Sequence, residues 1–390
     1  NFRHYPLTTA YEYLEIRFNR FARLLGAAGF MLLPFGRMGI VMFLPATALS
    51  AVTGFDLQLC ILLMGVLATL YTVLGGIEAV VWTDVLQAAV LLGGALLALG
   101  MMLTATGGAL GPELAEAQAR GKLTLADWSL DGATAAIWVV VIGHFAQHLA
   151  PYTADQTVVQ RYFTTRDESR AARALWTNAA LTIPASLLFF ALGTALWVFY
   201  RAHPERLAAL DRPDEILPWF IASEMLPGIA GLVIAALFAA AMSSLDSSLN
   251  SLATVLLTDV ILPLRPIDSS SARMKVARGL TLLLGVLGTG SALLMAAMPV
   301  QGMFDRYLEI IGLFGSGLAG LFAAGMLTRR ISAVGAILGF FGSAAVLVAV
   351  KTYTPVHFLL YAPIGLGSSL AIAWIASLVF ARNSAGAEQP

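Results

Sequence analysis

The stretch Phe238–Ser251, FAAAMSSLDSSLNS, carries five serines, one aspartate and one asparagine inside the long apolar segment Ile229–Leu262. A hydrocarbon interior penalises each such group by up to a few kcal/mol unless it finds a partner. On a 3.6-residue period Ser243, Asp246 and Ser247 share one face, with Ala240 one turn earlier. Serine hydroxyls, a freed backbone carbonyl and a carboxylate are hard oxygen ligands of the kind that hold an alkali cation. The alternative is structural: small serines allow helices to approach closely and bond back to their own helix carbonyls. The density of polar groups around Asp246 favours an ion or substrate site.

Other residues invite the same two-sided reading. Arg37 lies in the middle of FMLLPFGRMGIVMFLP, too deep to reach either interface comfortably. It is either the fork that grips a substrate carboxylate or one half of a structural ion pair. Asp84, in GGIEAVVWTDVLQ, is either a cation or proton site or an acid at the interface. Asp155, in TADQTVVQRY after Pro151 and Thr153, either lines a substrate pocket or ends a helix at a bend. His144 and His148 stand at metal-ligand spacing on one face, without the glutamate of a zinc-protease motif and with no acid nearby except Asp155. Asp305, Arg306 and Glu309 read as a local ion-pair cluster at the start of a span.

These residues must be positioned by membrane helices. The 390 residues are 58% hydrophobic and 12% charged, with a mean hydropathy of +0.80. A soluble domain carries about 25% charge. The net charge is zero, which gives no reason to expect nucleic acid. Cys60 is the single cysteine and lies in an apolar run, so there is no disulfide framework. No phosphate-binding loop GxxxxGK[ST] and no G-x-S-x-G nucleophile motif occurs, which argues against an ATP-driven pump and against an enzyme. A metal-dependent intramembrane enzyme would have to be built on His144 and His148. A sensor or scaffold without transport would need a signalling domain, and none is visible.

At roughly 20 apolar residues per crossing, about ten spans are expected: 22–52, 57–74, 80–105, 133–160, 172–200, 227–261, 275–298, 304–328, 332–351 and 355–380. The connections 107–132 and 201–226 are polar enough to lie outside the bilayer, on the extracytoplasmic side. The second contains ILPWFIASEML, which reads as an interfacial amphipathic helix. With this count the basic residues of the connections fall roughly fifteen to six in favour of the side that carries the first loop. Gly26, Gly29, Pro34, Gly36 and Gly39, and again Gly312, Gly315, Gly317 and Gly320, punctuate two of the spans, as broken or closely packed helices would. The first twenty residues lack an initial Met and a signal peptide and read as a connecting loop.

Five segments in register, YEYLEIRFNR, GRMGIVMFLPATALS, YTVLGGIEAVVWTDVLQ, ADQTVVQRY and AAMSSLDSSLNSLAT, resemble the sodium/solute symporter family. That family includes the sodium–glucose, sodium–proline and bacterial sialic acid symporters. The resemblance runs from near residue 8 to about 330. GRMGIVM and IIGLFGSGLAGLFAAGMLTRR are most similar to the sialic acid branch. The resemblance implies one all-α polytopic transporter domain over residues 1–390, with a LeuT-like core of two inverted five-helix repeats. It implies a chain that starts in the loop before the third core helix, and a multi-pass location in the bacterial inner membrane.

The residue roles that follow are likewise implied by the resemblance. The principal sodium site takes the carbonyl of Ala240 and the hydroxyls of Ser243 and Ser244, and the missing first helix supplies the rest. The second sodium site uses Asp84, Ser243, Ser247 and the position of Asp246, where the sialic acid branch has serine. A carboxylate there either strengthens cation binding or titrates and lets a proton replace one sodium. Arg37 falls on the arginine that binds the substrate carboxylate. Asp155 falls on a position that lines the sugar pocket of the galactose-transporting member. Asp305 and Leu308 replace that member's sugar-binding glutamines, which favours an acidic substrate over a neutral hexose. The expected activity is import of a carboxylated sugar such as sialic acid, driven by one or two Na+. The alternative within the family is proline, a monocarboxylate, pantothenate or a neutral sugar. The expected partners are the anionic solute, sodium and the lipid bilayer, with no nucleic acid and no obligate protein partner.

Overall fold

A computed structural model describes residues 7–106, 110–121, 123, 126–163, 168–210, 215–297 and 311–384. Helices dominate it for the reason the composition suggests: in hydrocarbon, every backbone N–H and C=O must bond within its own segment. Among the described residues there is no β-strand. The helices are α1 (Ala10–Arg17), α2 (Arg20–Thr53), α3 (Leu57–Thr106), α4 (Leu110–Ala119), α5 (Ile137–Ala154), α6 (Gln156–Phe163), α7 (Glu168–Ala202), α8 (Ile216–Glu224) and α9 (Pro227–Val255). A π-helical turn, Leu256–Ile261, continues α9 to Leu264. Then follow α10 (Ser270–Ala296), a π turn at Ile311–Gly315 leading into α11 (Ser316–Leu327), α12 (Ala333–Tyr353) and α13 (Tyr361–Ser384).

Eight described segments are long and apolar enough to cross a membrane. Two of the ten expected crossings fall outside that count. The span 133–160 is interrupted at Asp155, between α5 and α6, and diluted by His144, Gln147 and His148. The span 304–328 is described only from Ile311 onward. Asp305, Arg306, Leu308 and Glu309 therefore lie outside the described residues. The expected crossings 57–74 and 80–105 are joined without a non-helical residue in α3. Thr72 touches Asp246, and Gly94 packs on Ala236. A straight helix would separate Thr72 from Gly94 by about 33 Å, against about 15 Å between Ala236 and Asp246 on α9. Because α9 is so much shorter between the two contacts, α3 bends between them.

The helix ends follow local rules. The Asn19 side chain accepts from Ala22 N at 2.9 Å and opens α2, and Gly54, at φ 73°, closes it in the left-handed conformation a glycine tolerates. Pro34 and Pro45 sit inside α2 without ending it. The glycines serve close packing. A Cβ on Gly26 would meet Leu14 and Tyr11 of α1, and one on Gly39 would meet Met295 of α10.

The two ends of the bundle differ in chemistry. At one end Arg17 donates to the carbonyls of Thr328 (2.9 Å) and Ile331 (3.1 Å), and Arg23 donates to Thr258 O (2.9 Å). This brings the first loop, the end of α9 and the end of α11 together, as the arginine count expects. At the other end Arg201 meets Glu116 at 2.6 Å, Arg206 meets Glu224 at 3.0 Å, and His357 N donates to Gly132 O at 2.9 Å. Arg201 thus ties the second connection to α4 in the first. The Arg201 and Arg120 guanidiniums hold the Glu116 carboxyl below its usual range. Helix α8, expected as an interfacial amphipathic helix, buries Pro218, Phe220 and Ile221, with Phe220 edge-on to Phe199 at 5.0 Å between ring centres.

Candidate functional site

The polar stretch of α9 faces three neighbours. Ser243 donates to Ala240 O at 2.9 Å, and Ser244 Oγ lies 3.5 Å from the same carbonyl. The three groups named as ligands of the principal sodium site are therefore mutual neighbours on one turn. Each hydroxyl is satisfied by its own helix, the back-bonding that makes serine tolerable in an apolar helix.

Asp246 is fully buried. Its Oδ1 is 2.8 Å from Thr72 Oγ1 on α3, and its Oδ2 has no hydrogen-bond partner among the described residues. A buried carboxylate with one open oxygen is costly to leave alone and fits a cation or a proton. Thr72 was not singled out by the sequence reading. Its partner lies 174 residues away, and a threonine in an apolar run ordinarily bonds its own helix, as this one also does to Ala68 O at 2.7 Å. Asp84 stands further along α3, partly buried, and Ser247 is buried on α9 beside Asp246.

Arg37 projects from α2 between its two prolines. Its Nη2 donates to Thr157 Oγ1 and to Ser248 Oγ, both at 3.0 Å. Its Nη1 is 3.6 Å from Asp155 Oδ2, an ion pair too long for a good hydrogen bond. Its Nε is buried with no partner among the described residues. Asp155 has a second task. Its Oδ1 accepts from Thr157 N at 2.8 Å, and its carbonyl accepts from Val158 and Val159 N, each at 3.0 Å. It therefore caps α6 as well as facing the guanidinium, which is the helix-end reading of this residue.

A cavity of about 320 Å³ opens between α2 and α9, with Arg37, Val41, Pro45, Ala240 and Ser244 among its lining residues. Its size is at the lower end of small-molecule pockets. Arg37 from α2 and two of the proposed sodium ligands from α9 thus line the same cavity. Asp155 is not among the lining residues and stands behind Arg37. His144 and His148 have ring centres 6.1 Å apart. Among the described residues no group of three or more His, Cys, Asp or Glu side chains is arranged to hold a metal ion.

A broken-helix bundle with a buried polar patch on a central helix defines a multi-pass membrane transporter, and the comparisons with known proteins agree. The sodium:solute symporter family model matches residues 1–342, and the chain belongs to that family. It is 36% identical over 385 residues to the sodium/sialic acid symporter NanT of Aliivibrio fischeri, covering 98% of this chain and 76% of that protein. It is 36% identical over 382 residues to the sodium/sialic acid symporter SiaT of Proteus mirabilis, covering 97% and 77%. A solved Na+-coupled sialic acid symporter, in a substrate-bound outward-open state with a novel Na+ site, superimposes with a TM-score of 0.88 at 36% identity. That match covers 97% of this chain and 79% of the solved one.

Proposed function

We propose that this protein imports a carboxylated sugar of the sialic acid class together with sodium, by alternating access, and leaves its substrate chemically unchanged. The observation that carries the proposal is the shared lining of the α2–α9 cavity. Arg37 lines it next to Ala240 and Ser244, and its buried Nε has no partner among the described residues. The substrate carboxylate binds Arg37, whose planar fork suits two carboxylate oxygens. Sodium binds through Ala240 O, Ser243 and Ser244. A second cation binds at Asp246 with Ser247, Ser243 and Asp84. Asp155 borders the substrate site through Arg37, for which it competes with the substrate carboxylate. The similarity to two sodium/sialic acid symporters supports the choice of solute.

Each sodium entering down a 100 mV potential supplies about 2.3 kcal/mol before its concentration gradient is counted. Coupling one or two such ions to one anion accounts for uphill uptake. The connections 107–132 and 201–226 face the outside, and the arginine-rich end faces the cytoplasm.

The test is uptake of labelled N-acetylneuraminate by the full-length protein in proteoliposomes, with an inward sodium gradient and again with choline. Uptake that needs sodium is expected. Absence of uptake in both would remove sialic acid and turn the search to small carboxylates and amino acids.

A further inference from the structure

We infer that Ser248 couples cation binding at Ala240–Ser244 to the position of Arg37, and that it does so as a positioning residue in contact with neither ion nor solute. The inference rests on the transport reading above and names the wire within that site. Ser248 is fully buried on α9. Its hydroxyl donates to the carbonyl of Ser244 at 2.7 Å and accepts from Arg37 Nη2 at 3.0 Å. A hydroxyl has one proton, so its donor is committed to Ser244 and its lone pairs are what remains for Arg37. The result is a directed chain from guanidinium to Ser248 to the Ser244 carbonyl.

Ser244 is the residue whose own hydroxyl is to bind the cation. In this structure that hydroxyl and the Ser243 hydroxyl lie against Ala240 O. A cation entering among the three oxygens must replace those contacts, because each group then turns a lone pair to the ion. The change occurs on the turn whose carbonyl holds Ser248. Arg37 feels it through one hydrogen bond, while its other wall, Asp155 at 3.6 Å, is loose enough to let it move. Back-bonding of a serine to the fourth residue before it is common in membrane helices. The Arg37 contact on the same oxygen is what turns a packing device into a link. Thr157 serves as the internal comparison. It also accepts from Arg37 Nη2, but its hydroxyl neighbours Ser251 Oγ at 3.4 Å and not the cation turn.

The experiment reads Arg37 directly and needs no knowledge of the solute. Purified full-length protein is treated with phenylglyoxal in sodium or in choline, and modification of Arg37 is followed by peptide mapping. In the unaltered protein the rate at Arg37 should differ about fivefold or more between the two ions, the lower end of ordinary site coupling. In Ser248→Ala the ratio should fall within about twofold, and Ser248→Thr should restore it. Thr157→Val should shift both rates and preserve the ratio. If the alanine variant does not fold, Ser248→Cys, a weaker donor, takes its place. A full sodium effect in Ser248→Ala or Ser248→Cys, or no sodium effect in the unaltered protein, overturns the coupling. Binding of N-acetylneuraminate is measured on the same samples. A sodium-sensitive Arg37 without such binding removes the sialic acid reading and leaves the coupling standing. Binding with an insensitive Arg37 does the reverse.

Discussion

Helix α2 carries two mostly buried arginines, Arg23 and Arg37, in opposite situations. Arg23 is fully engaged. Its Nε is 2.6 Å from Asp259 Oδ1, its Nη1 2.6 Å from Glu15 Oε2, and its Nη2 2.9 Å from Thr258 O, with Glu12 at 3.5 Å. Thr9 adds a hydrogen bond to Asp259 at 2.9 Å. Glu12 accepts from Thr8 and Thr9 N, which fixes the start of α1. Arg37 has two hydroxyl acceptors, a long ion pair and an idle Nε. The same side chain is thus a bolt at one end of α2 and an open hand at its middle. What distinguishes them is the count of donors already satisfied and that Arg37 lines a cavity.

The bolt has a recognisable purpose in the fold. It joins α1, α2 and the π turn after α9. Alongside it the Gln156 side chain accepts from Ala10 N at 2.9 Å and donates to Thr8 O at 3.0 Å, and Tyr11 donates to Ala154 O at 2.7 Å. Burial, with Asp155 and Asp259 nearby, holds the Tyr11 hydroxyl well above its usual range, so it stays a donor. These bonds tie α1 to the end of α5, the start of α6 and the end of α9.

The largest effect should come from breaking the bolt. Arg23→Gln leaves Asp259 buried without its charge partner, a situation that costs about 3–5 kcal/mol. A large drop in the melting temperature of detergent-purified protein is expected, with much of it recovered when Asp259→Asn is added. An unchanged melting temperature would sink the contrast between the two arginines. Next in size, Arg37→Gln should leave melting nearly intact while weakening the anionic substrate about 100-fold, the scale of a charge-assisted hydrogen-bonded pair. Binding titrations with N-acetylneuraminate and with a neutral analogue separate the charge effect from general damage.

Smaller still is Asp155→Asn. Asparagine can keep the cap on α6 but removes the carboxylate that competes for Arg37. The anionic substrate should bind more tightly by about fivefold, near 1 kcal/mol. Weaker binding would mean that Asp155 touches the solute itself. The smallest effect belongs to Glu116 at the far end. Its carboxyl is depressed by the arginines beside it. It therefore contributes stability above the ordinary glutamate range and loses it as pH falls through the depressed value. Glu116→Gln should lower the melting temperature slightly at pH 7 and not at all below that range, and a pH series of melts reads the difference.

Much of this was legible in the chain. The spans followed from apolar length, and the grouping of loops at each end followed from the arginines. Ser243, Ser244 and Asp246 stood out because polar groups are expensive where they sit. Arg37 stood out for the same reason. Arg23 did not, because near a helix end an arginine looks like an ordinary flanking charge. A signal existed in Asp259, an acid in the apolar run TVLLTDVILPL with no basic neighbour of its own. Thr72, Thr157 and Ser248 carried no signal, since hydroxyls in membrane helices usually bond their own carbonyls.

The sequence by itself determined that this is a membrane protein of many helices, which stretch of α9 concentrates polar groups in an apolar run, and to which family the pattern is similar. Those are consequences of local cost: hydrocarbon penalises every polar group in the chain wherever the fold places it. Only the tertiary structure decided which arginine is fully engaged and which keeps an unpartnered Nε among the described residues, that Asp155 stands beside Arg37, and that Ser248 joins the guanidinium to the Ser244 carbonyl. These depend on partners brought together from residues far apart in the chain. A hydrogen bond of about 3 Å is set by how helices pack, which no single segment encodes.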